Sequence, residues 1–332
     1  MWWRFRKHRL AMVGSAVIAL FYLVAIFCEF LSPYDPNAFE RRYTFVPPQP
    51  IHWMRDGRIQ RPYIYGLART RDAATYAITY APDPGVILPI YFFVEGDPYK
   101  LWGLFDSNLH LFGLHPEADS DGLRIHLLGT DRLGRDMFSR VLYSIGLIGV
   151  FLSFVIGILM GGISGYFGGV PDLIIQRLIE FLRSIPTIPL WMGLSAALPR
   201  EWSSMQRYFA IVVLLSLIGW TGLARVVRGR FLAVREEDYV MAARLTNAGE
   251  LRIILRHMLP SFFSYIIASL TLAIPGMILG ETSLSFLGLG LRPPTISWGV
   301  LLQEAQNLQT VALAPWLLIP AIFVVVAILS FN

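Results

Sequence analysis

The chain has 332 residues, of which 55% are hydrophobic and only 15% charged, with a formal net charge of +5. This composition excludes an ordinary soluble domain and indicates a polytopic membrane protein. The arginines lie beside apolar stretches and form no long basic tract, which argues against nucleic-acid binding. The single cysteine, Cys28, excludes a disulfide framework or a cysteine metal site within the chain.

The first apolar run, residues 10–31, follows a leader that contains Arg4, Arg6, Lys7 and Arg9. At about 1.5 Å per residue, the run is long enough to cross the ~30 Å hydrocarbon core of a bilayer. A signal peptide has a similar basic start, but its apolar region is shorter and ends in a small-residue cleavage site, which FCEFLSPYDP does not provide. We therefore predict a spanning helix in residues 1–32, with the basic amino terminus in the cytoplasm.

Residues 33–137 are predicted to form an extracytoplasmic insertion subdomain rich in β-structure. The Asp-Gly pair of RDGR at 55–58 lies between β-forming residues and predicts a hairpin. Two further β-like runs, YAITY at 76–80 and VILPIYFFVEG at 86–96, flank PDPG, for which we predict a turn. The subdomain is either a cap on the outer mouth of the helices or a docking surface for an extracytoplasmic partner.

Five more apolar spans follow the insertion, which gives an all-α polytopic membrane fold with six transmembrane helices. The spans are predicted at 138–164, 173–198, 208–227, 261–288 and 311–331. Alternation from a cytoplasmic start places residues 225–260 in the cytoplasm, together with the YFGGVPD turn at 166–172. Residues 225–256 carry seven arginines against four acidic residues, whereas segment 32–137 carries eleven basic against thirteen acidic residues, so the charge bias agrees with this orientation.

The cytoplasmic stretch DYVMAARLTNAGELRIILRHMLP, residues 238–260, interrupts this apolar pattern. We predict a short helix from Asp238, with a small, closely approachable surface at Ala242 and Ala243. Asn247 and Gly249 tolerate a left-handed backbone and are expected to end this helix.

A second helix is predicted to begin near Glu250, with Pro260 opening the next span. Its apolar face is expected to comprise Leu251, Ile254, Leu255 and Met258, with Arg252 and Arg256 on another face. From the residues alone, an amphipathic membrane anchor and a docking element for a cytosolic partner remain equally open.

The same stretch resembles the cytoplasmic loop signature of ABC importer permeases, above all those of the dipeptide/oligopeptide branch. Four further stretches match that branch in order: LGTDRLGRDMFSR at 128–140, GGISGYFGGVPD at 161–172, EFLRSIPTIPL at 180–190 and ETSLSFLGLGLRPPTISWG at 281–299. Several motifs in one order are specific, and they extend the resemblance over roughly 126–332 and the first helix. Met241 stands where the family has Glu, and Asn247 where it has Gly.

The resemblance implies a five-helix permease core at 138–332, with a cytoplasmic coupling loop at 229–260 that docks on an ATPase. The implied coupling positions are Asp238, Tyr239, Ala242, Ala243, Arg244, Asn247, Gly249, Arg256 and Pro260. Such a subunit forms half of the translocation pathway for peptides and works by alternating access.

The resemblance also implies the partners: a second homologous permease, two cytosolic ATPases, an extracytoplasmic substrate-binding protein and the lipid bilayer, without nucleic acid. The location implied is the bacterial cytoplasmic (inner) membrane, with several passes and a cytoplasmic amino terminus. ATP and Mg²⁺ are expected on the ATPases and no cofactor on this chain, because neither Lys7 nor Lys100, its only lysines, lies in a GxxxxGK[ST] loop. The chain is thus predicted not to be an enzyme.

Three alternatives remain. The same machinery could import oligosaccharides or another small solute, and the chain could act alone as a channel or secondary transporter. An intramembrane enzyme is the third, but His257 has no partner histidine at ligand spacing, and HExxH and GxSxG motifs are absent from the sequence.

Charged residues within predicted spans are further candidates for a functional role. Glu180 and Arg183 are three residues apart on one helix and are expected to form a structural salt bridge or to line the pathway. Glu281 is expected to face the substrate path or to hydrogen-bond a neighbouring helix. Pro186, Pro189 and Pro275 are expected to kink their helices.

Overall fold

The computed structural model describes residues 9–55, 57–71, 78–115, 122–144, 150–199, 201–202, 204–291, 293 and 295–331. The chain divides into two compact units. One, here called the helical unit, combines residues 1–14, 147–295 and 326–332. The other, the insertion unit, combines residues 15–146 and 296–325.

Helices account for most of the chain outside the insertion. In order they are α1 (Arg9–Ile26), α2 (Cys28–Leu31), α3 (Met137–Tyr143), α4 (Val150–Phe167), α5 (Gly169–Ser184), α6 (Thr187–Ala196), α7 (Ser204–Val234), α8 (Asp238–Leu245), α9 (Glu250–Arg252), a π-helical segment (Ile253–Met258), α10 (Leu259–Ser261), α11 (Phe263–Phe286), α12 (Trp298–Gln303), α13 (Leu308–Leu313) and α14 (Ile319–Phe331). Short 3₁₀ turns lie at Arg41–Tyr43, Glu304–Gln306 and Pro315–Leu318.

Within the described part of the chain, α1 and α11 are the helices long and apolar enough to cross a bilayer. Three of the other predicted spans are not single helices. The 173–198 span is divided between α5 and α6 at Ile185, which is extended (φ −89°, ψ 129°) because Pro186 disfavours the helical conformation of the residue before it. Pro275, by contrast, stays inside α11.

The 311–331 span is divided between α13 and α14, since Pro315 follows Ala314, which is non-helical (φ −136°, ψ 68°). The 138–164 span is described as α3 and α4, with residues 145–149 outside the described residues. The helix at the predicted 208–227 span is longer than that span, because α7 runs from Ser204 to Val234.

Three glycines spaced four residues apart let α4 pack closely on α7. A Cβ atom at Gly161 would lie 2.5 Å from the Ala224 carbonyl oxygen, and one at Gly165 would lie 2.7 Å from the Arg228 carbonyl oxygen. At Gly157 it would lie 2.9 Å from the Leu223 side chain. This small-xxx-small stripe brings the two backbones together in a way that larger residues would prevent.

The insertion contains two antiparallel sheets, as the β-rich composition predicts. The strands are β1 (His52–Arg55), β2 (Arg58–Arg71), β3 (Ile78–Pro89), β4 (Tyr91–Leu101) and β5 (Phe105–Gly113), in the orders β1-β2-β3 and β4-β5. The predicted RDGR hairpin is present, with Arg55 paired to Arg58 and Gly57 at φ 74°. Asp56 and residues 76–77 of YAITY lie outside the described residues.

The predicted PDPG turn is wrong. Residues 82–85 lie within β3, which stays paired with β2 on both sides: Gly66 pairs with Asp83, and Tyr65 with Ile87. The three intervening residues form an irregularity in the ladder. The strand therefore continues past PDPG, and the local preference of Pro and Gly produces a bulge instead of a reversal of the chain.

A buried group of charges fixes the segment 128–140 within the insertion unit. Asp131 accepts hydrogen bonds from the Arg135 Nε at 2.6 Å and from the backbone N–H groups of Leu133 and Arg135. Arg135 also donates to Glu304 at 3.2 Å, and the Arg140 Nε lies 3.8 Å from Asp131. Because Asp131, Arg135 and Arg140 are almost fully buried, these charges depend on one another.

Candidate coupling site

The stretch 238–260 folds as the predicted helix, turn and second helix. Its first helix, α8, has Asp238 in its first turn, where a negative charge is favourable. It ends in a Schellman motif: Asn247 N–H donates to the Arg244 carbonyl at 2.9 Å, and Ala248 N–H to the Ala243 carbonyl at 3.2 Å.

Asn247 has φ 57°, so it is the left-handed residue that the sequence predicted. Gly249 is not, since it has φ −63° and precedes the first residue of α9. Asn247 thus takes the left-handed conformation, which Asn tolerates better than most residues.

The inner face of α8 is anchored in the helical unit. Val240 is fully buried in a cluster with Tyr166 of α4, Phe231 of α7 and Met258 of the π-helical segment. The cluster also contains Val227, Ile253, Phe262 and Ile266. Because α8 packs on the ends of several long helices at once, a force applied to it is transmitted to all of them.

The apolar face predicted for the second helix is wrong in part. Ile253 and Met258 are buried, whereas Leu251 and Leu255 are exposed. The reason is the π-helical segment. Its wider turn brings residues that are five apart in sequence to the same face, whereas an α-helix brings residues three or four apart there. Pro260 lies in the short α10, and the helix is interrupted at Phe262 before α11 begins.

The outer face of this region, here called the coupling surface, carries apolar side chains beside charged ones. Leu245 is 88% exposed and Leu251 is 71% exposed. Its further members are Tyr239, Met241 and Leu255. Large exposed apolar residues concentrated in one short segment indicate a site of interaction with a partner or a membrane.

The predicted coupling residues fall almost entirely on the exposed side of the region. The exposed ones are Asp238, Tyr239, Ala242, Arg244, Asn247, Gly249, Arg256 and Pro260. Ala243 differs, because it is partly buried and packs against the inner cluster. The guanidinium carbon of Arg244 lies 5.4 Å from the centre of the Tyr166 ring, within the range of a cation–π contact.

An ion pair next to the buried Val240 cluster was not predicted from the sequence. The Arg228 Nε and Nη2 atoms donate to the two carboxylate oxygens of Asp172, each at 2.5 Å, and the Ser164 hydroxyl also donates to Asp172. The hydrogen bonds from Arg228 hold the pKa of the Asp172 carboxyl below its usual range, and Asp172 in turn raises the pKa of Arg228. The pair ties the first turn of α5 to α7.

Two of the charged residues predicted inside spans do not pair as expected. Glu180 pairs with Arg177 at 2.8 Å, not with Arg183, and all three are exposed on α5. Glu281 accepts from the Ser285 hydroxyl at 2.6 Å within its own helix. That hydroxyl accepts in turn from the Leu291 N–H at 3.0 Å, so Glu281 helps to order the end of α11. Over the described residues, no three His, Cys, Asp or Glu side chains are grouped to hold a metal ion.

Comparison with known proteins gives two family matches. Residues 153–332 match the family described as binding-protein-dependent transport system inner membrane component. Residues 1–48 match the N-terminal transmembrane domain of oligopeptide transport permease C. The first match covers more than half of the chain and includes the whole coupling surface.

Curated relatives agree with these matches. The chain is 36% identical to the dipeptide transport system permease protein DppC of Bacillus subtilis, over 66% of this chain and 67% of the relative. It is 37% identical to the oligopeptide transport system permease protein OppC of Haemophilus influenzae, over 62% of this chain and 66% of the relative. Similarity to DppC of Lactococcus lactis, at 28% identity, extends over 99% of this chain and 85% of the relative.

Proposed function

Because the chain belongs to the family of binding-protein-dependent transport system inner membrane components, we propose that it is a permease subunit of an ATP-driven peptide importer. Its relatives are named dipeptide and oligopeptide permeases, which supports peptides as the substrate. The fold proposed has six spans, with the amino terminus in the cytoplasm and the β-rich insertion outside.

The proposed mechanism rests on the different surroundings of the two faces of α8. Its inner face, centred on Val240, is fixed to α4, α7 and α11, while its outer face exposes Leu245 and neighbouring apolar residues. An ATPase that binds the outer face and moves on ATP binding pulls the long helices with it. This is a rigid-body switch between outward-open and inward-open states.

The partners of the complex follow from this role. A second permease subunit completes the pathway, two ATPases supply the energy, and a binding protein delivers the peptide outside the membrane. ATP and Mg²⁺ bind the ATPases in this scheme, so the chain itself carries no catalytic group.

Substitution of the most exposed apolar residue of the coupling surface tests the docking role. We expect Leu245→Asp to abolish co-purification of the ATPases and ATP-driven peptide uptake, because it places a charge in a desolvated interface. Leu308→Asp is the matched control, since Leu308 is 85% exposed but lies in α13 of the insertion unit. Normal ATPase co-purification and uptake in Leu245→Asp would overturn the proposal.

Orientation is tested by cysteine labelling in a Cys28→Ala background. A membrane-impermeant maleimide added to intact cells is expected to label Thr70→Cys in β2, and to label Asn247→Cys only after permeabilisation. Both positions are exposed, so accessibility of the side chain itself is matched. The reverse labelling order would contradict the proposed topology.

The substrate class is tested in proteoliposomes that contain the complete complex. Labelled peptides are expected to accumulate with ATP hydrolysis and to be displaced by unlabelled peptides, while oligosaccharides do not compete. Uptake of an oligosaccharide and not of peptides would retain the importer and change its substrate.

A further inference from the structure

The β4–β5 hairpin ends in an apolar tip, residues 101–105, with an unusual turn. The chain reverses through Trp102 and Gly103, which both have positive φ (54° and 70°), and the Leu104 N–H donates to the Leu101 carbonyl at 3.0 Å. Positive φ at both central positions is the pattern of a type I′ turn, in which Asn or Asp is the preferred first residue. A bulky tryptophan is disfavoured there, so the turn itself does not explain it.

The tryptophan contacts the end of the first membrane-spanning candidate. Its indole Nε1–H donates to the carbonyl of Ile26, the last residue of α1, at 2.7 Å. The centre of its ring lies 6.3 Å from that of Phe27 and 6.3 Å from that of Phe105. An aromatic series therefore connects the helix end to the hairpin tip.

The tip and α1, which it contacts at Ile26, both expose apolar side chains. Leu104 is 75% exposed and Phe105 is 59% exposed, while α1 has no buried residue and exposes Leu20 and Leu23. With 18 residues at about 1.5 Å each, α1 is ~27 Å long, close to the ~30 Å hydrocarbon thickness. Its end at Ile26 then lies near the membrane–water boundary, where tryptophan is enriched.

A pair of opposite charges stands directly behind the tip. Lys100 and Asp106 are paired in the ladder next to Leu101 and Phe105, and their ion pair of 3.5 Å is well exposed. At about 3.4 Å per residue along a strand, the apolar part is about two residues deep, or ~7 Å. This depth agrees with the ~5–10 Å that interfacial elements reach into a bilayer.

The β1–β2 hairpin shows that this pattern is not general in the insertion unit. Its turn is flanked by Arg55 and Arg58 directly opposite each other, so two like charges border the tip. The end of that tip is therefore charged, whereas the β4–β5 tip has an uncharged end and a neutral charge pair behind it.

We propose that residues 101–105 insert into the outer lipid interface and anchor the insertion unit to the bilayer at the end of α1. The partner is the headgroup and upper acyl region of the lipids, because the exposed apolar tip contacts the end of α1, where the membrane–water boundary is expected. The inference rests on the proposed membrane crossing of α1, and the experiment below separates the two.

Spin-label accessibility in nanodiscs of phosphatidylcholine and phosphatidylglycerol tests the insertion. The full chain carries Cys28→Ala and a single label at Leu104→Cys, Leu20→Cys or Thr70→Cys. Collisions with oxygen are expected to exceed collisions with a water-soluble nickel complex several-fold at positions 104 and 20, with the reverse at position 70.

The label at position 104 tests the insertion of the tip, and the label at position 20 tests the crossing of α1. A label at 104 that behaves like that at 70 would overturn the insertion while leaving the crossing of α1 intact if position 20 still reports lipid. A label at 104 that is inaccessible to both reagents would show a protein partner instead of lipid. A water-exposed label at 20 would defeat the crossing of α1 itself.

The role of Trp102 is tested in the same label background. Trp102→Asn keeps a residue that accepts positive φ but removes the indole, so lipid exposure at position 104 is expected to fall toward the value at position 70. Trp102→Phe retains the apolar ring and loses the N–H donor, and is expected to lie between the two. Unchanged accessibility in Trp102→Asn would contradict anchoring through Trp102.

Discussion

Charged residues have opposite surroundings in the insertion unit and in residues 238–260, here called the coupling region. In the insertion unit, Asp131, Arg135 and Arg140 are buried and bind one another. In the coupling region, Arg244 and Arg252 are exposed, and neither takes part in an ion pair among the residues that the structure describes. The difference teaches that the first set of charges stabilises this chain, whereas the second set is available to a partner.

The largest effect is expected where a buried charge loses its counter-charge. Asp131→Asn leaves Arg135 and Arg140 buried without the carboxylate between them, and should lower the free energy of unfolding by about 3–5 kcal/mol. Thermal denaturation of the protein in nanodiscs measures the loss. Asp106→Asn, at an exposed ion pair, is the control and should change stability by under about 0.5 kcal/mol. Equal losses of stability in the two variants would contradict the contrast between buried and exposed charges.

A steric prediction tests the close packing of α4 on α7 in the helical unit. Gly161→Ala brings a Cβ against the Ala224 carbonyl and should cost about 1–3 kcal/mol, with reduced uptake, because α4 and α7 must separate. Gly162→Ala is the neighbouring control, since its Cβ would meet the Phe231 ring at an ordinary 3.6 Å. Denaturation midpoints of both variants compare the positions; a harmless Gly161→Ala would contradict the close packing.

The Asp172–Arg228 pair predicts a pH dependence. Because the pKa of Asp172 is lowered in the folded protein, its stabilising contribution is full above about pH 4 and is lost as the pH falls through the folded-state pKa. At neutral pH, Asp172→Asn should cost on the order of 1–2 kcal/mol. The difference in melting temperature between the original chain and the variant, measured at pH 7 and at acidic pH, should shrink on acidification. A difference that grows would reverse the sign of the argument.

The smallest effect on stability is expected on the coupling surface. Leu245→Asp should change the free energy of unfolding by under about 0.5 kcal/mol, because the side chain is already in solvent. Val240→Ala, on the inner face of the same helix, should cost about 1–3 kcal/mol through lost burial and a cavity. Parallel denaturation of the two variants separates the faces, and a strongly destabilising Leu245→Asp would contradict the assignment of an outer face.

The sequence predicted best what short-range chemistry determines. The helix from Asp238, the left-handed Asn247 and the Asp-Gly hairpin all depend on neighbouring residues, and the structure confirms them. The break at Pro186 also had a local signal, which the long apolar run led us to interpret as a kink within one span.

Features that depend on distant residues were missed. Pairing with β2 on both sides keeps PDPG from reversing the chain, and Glu304 reaches Arg135 across 169 positions of sequence. The glycine stripe at Gly157, Gly161 and Gly165 did carry a readable four-residue spacing, but only the structure shows that it faces α7. The π-helical segment changed the buried face of the second helix without any sequence signal that we can identify.

Photocrosslinking from the coupling surface tests the central claim most directly. A benzophenone amino acid at position 245, in membranes that contain the complete complex, should form an adduct with an ATPase subunit, while the same group at position 308 should not. Both leucines are among the most exposed apolar residues of the chain, so reactivity is matched. An ATPase adduct that depends on position 245 is the result that the account predicts. Active uptake without any such adduct would contradict it.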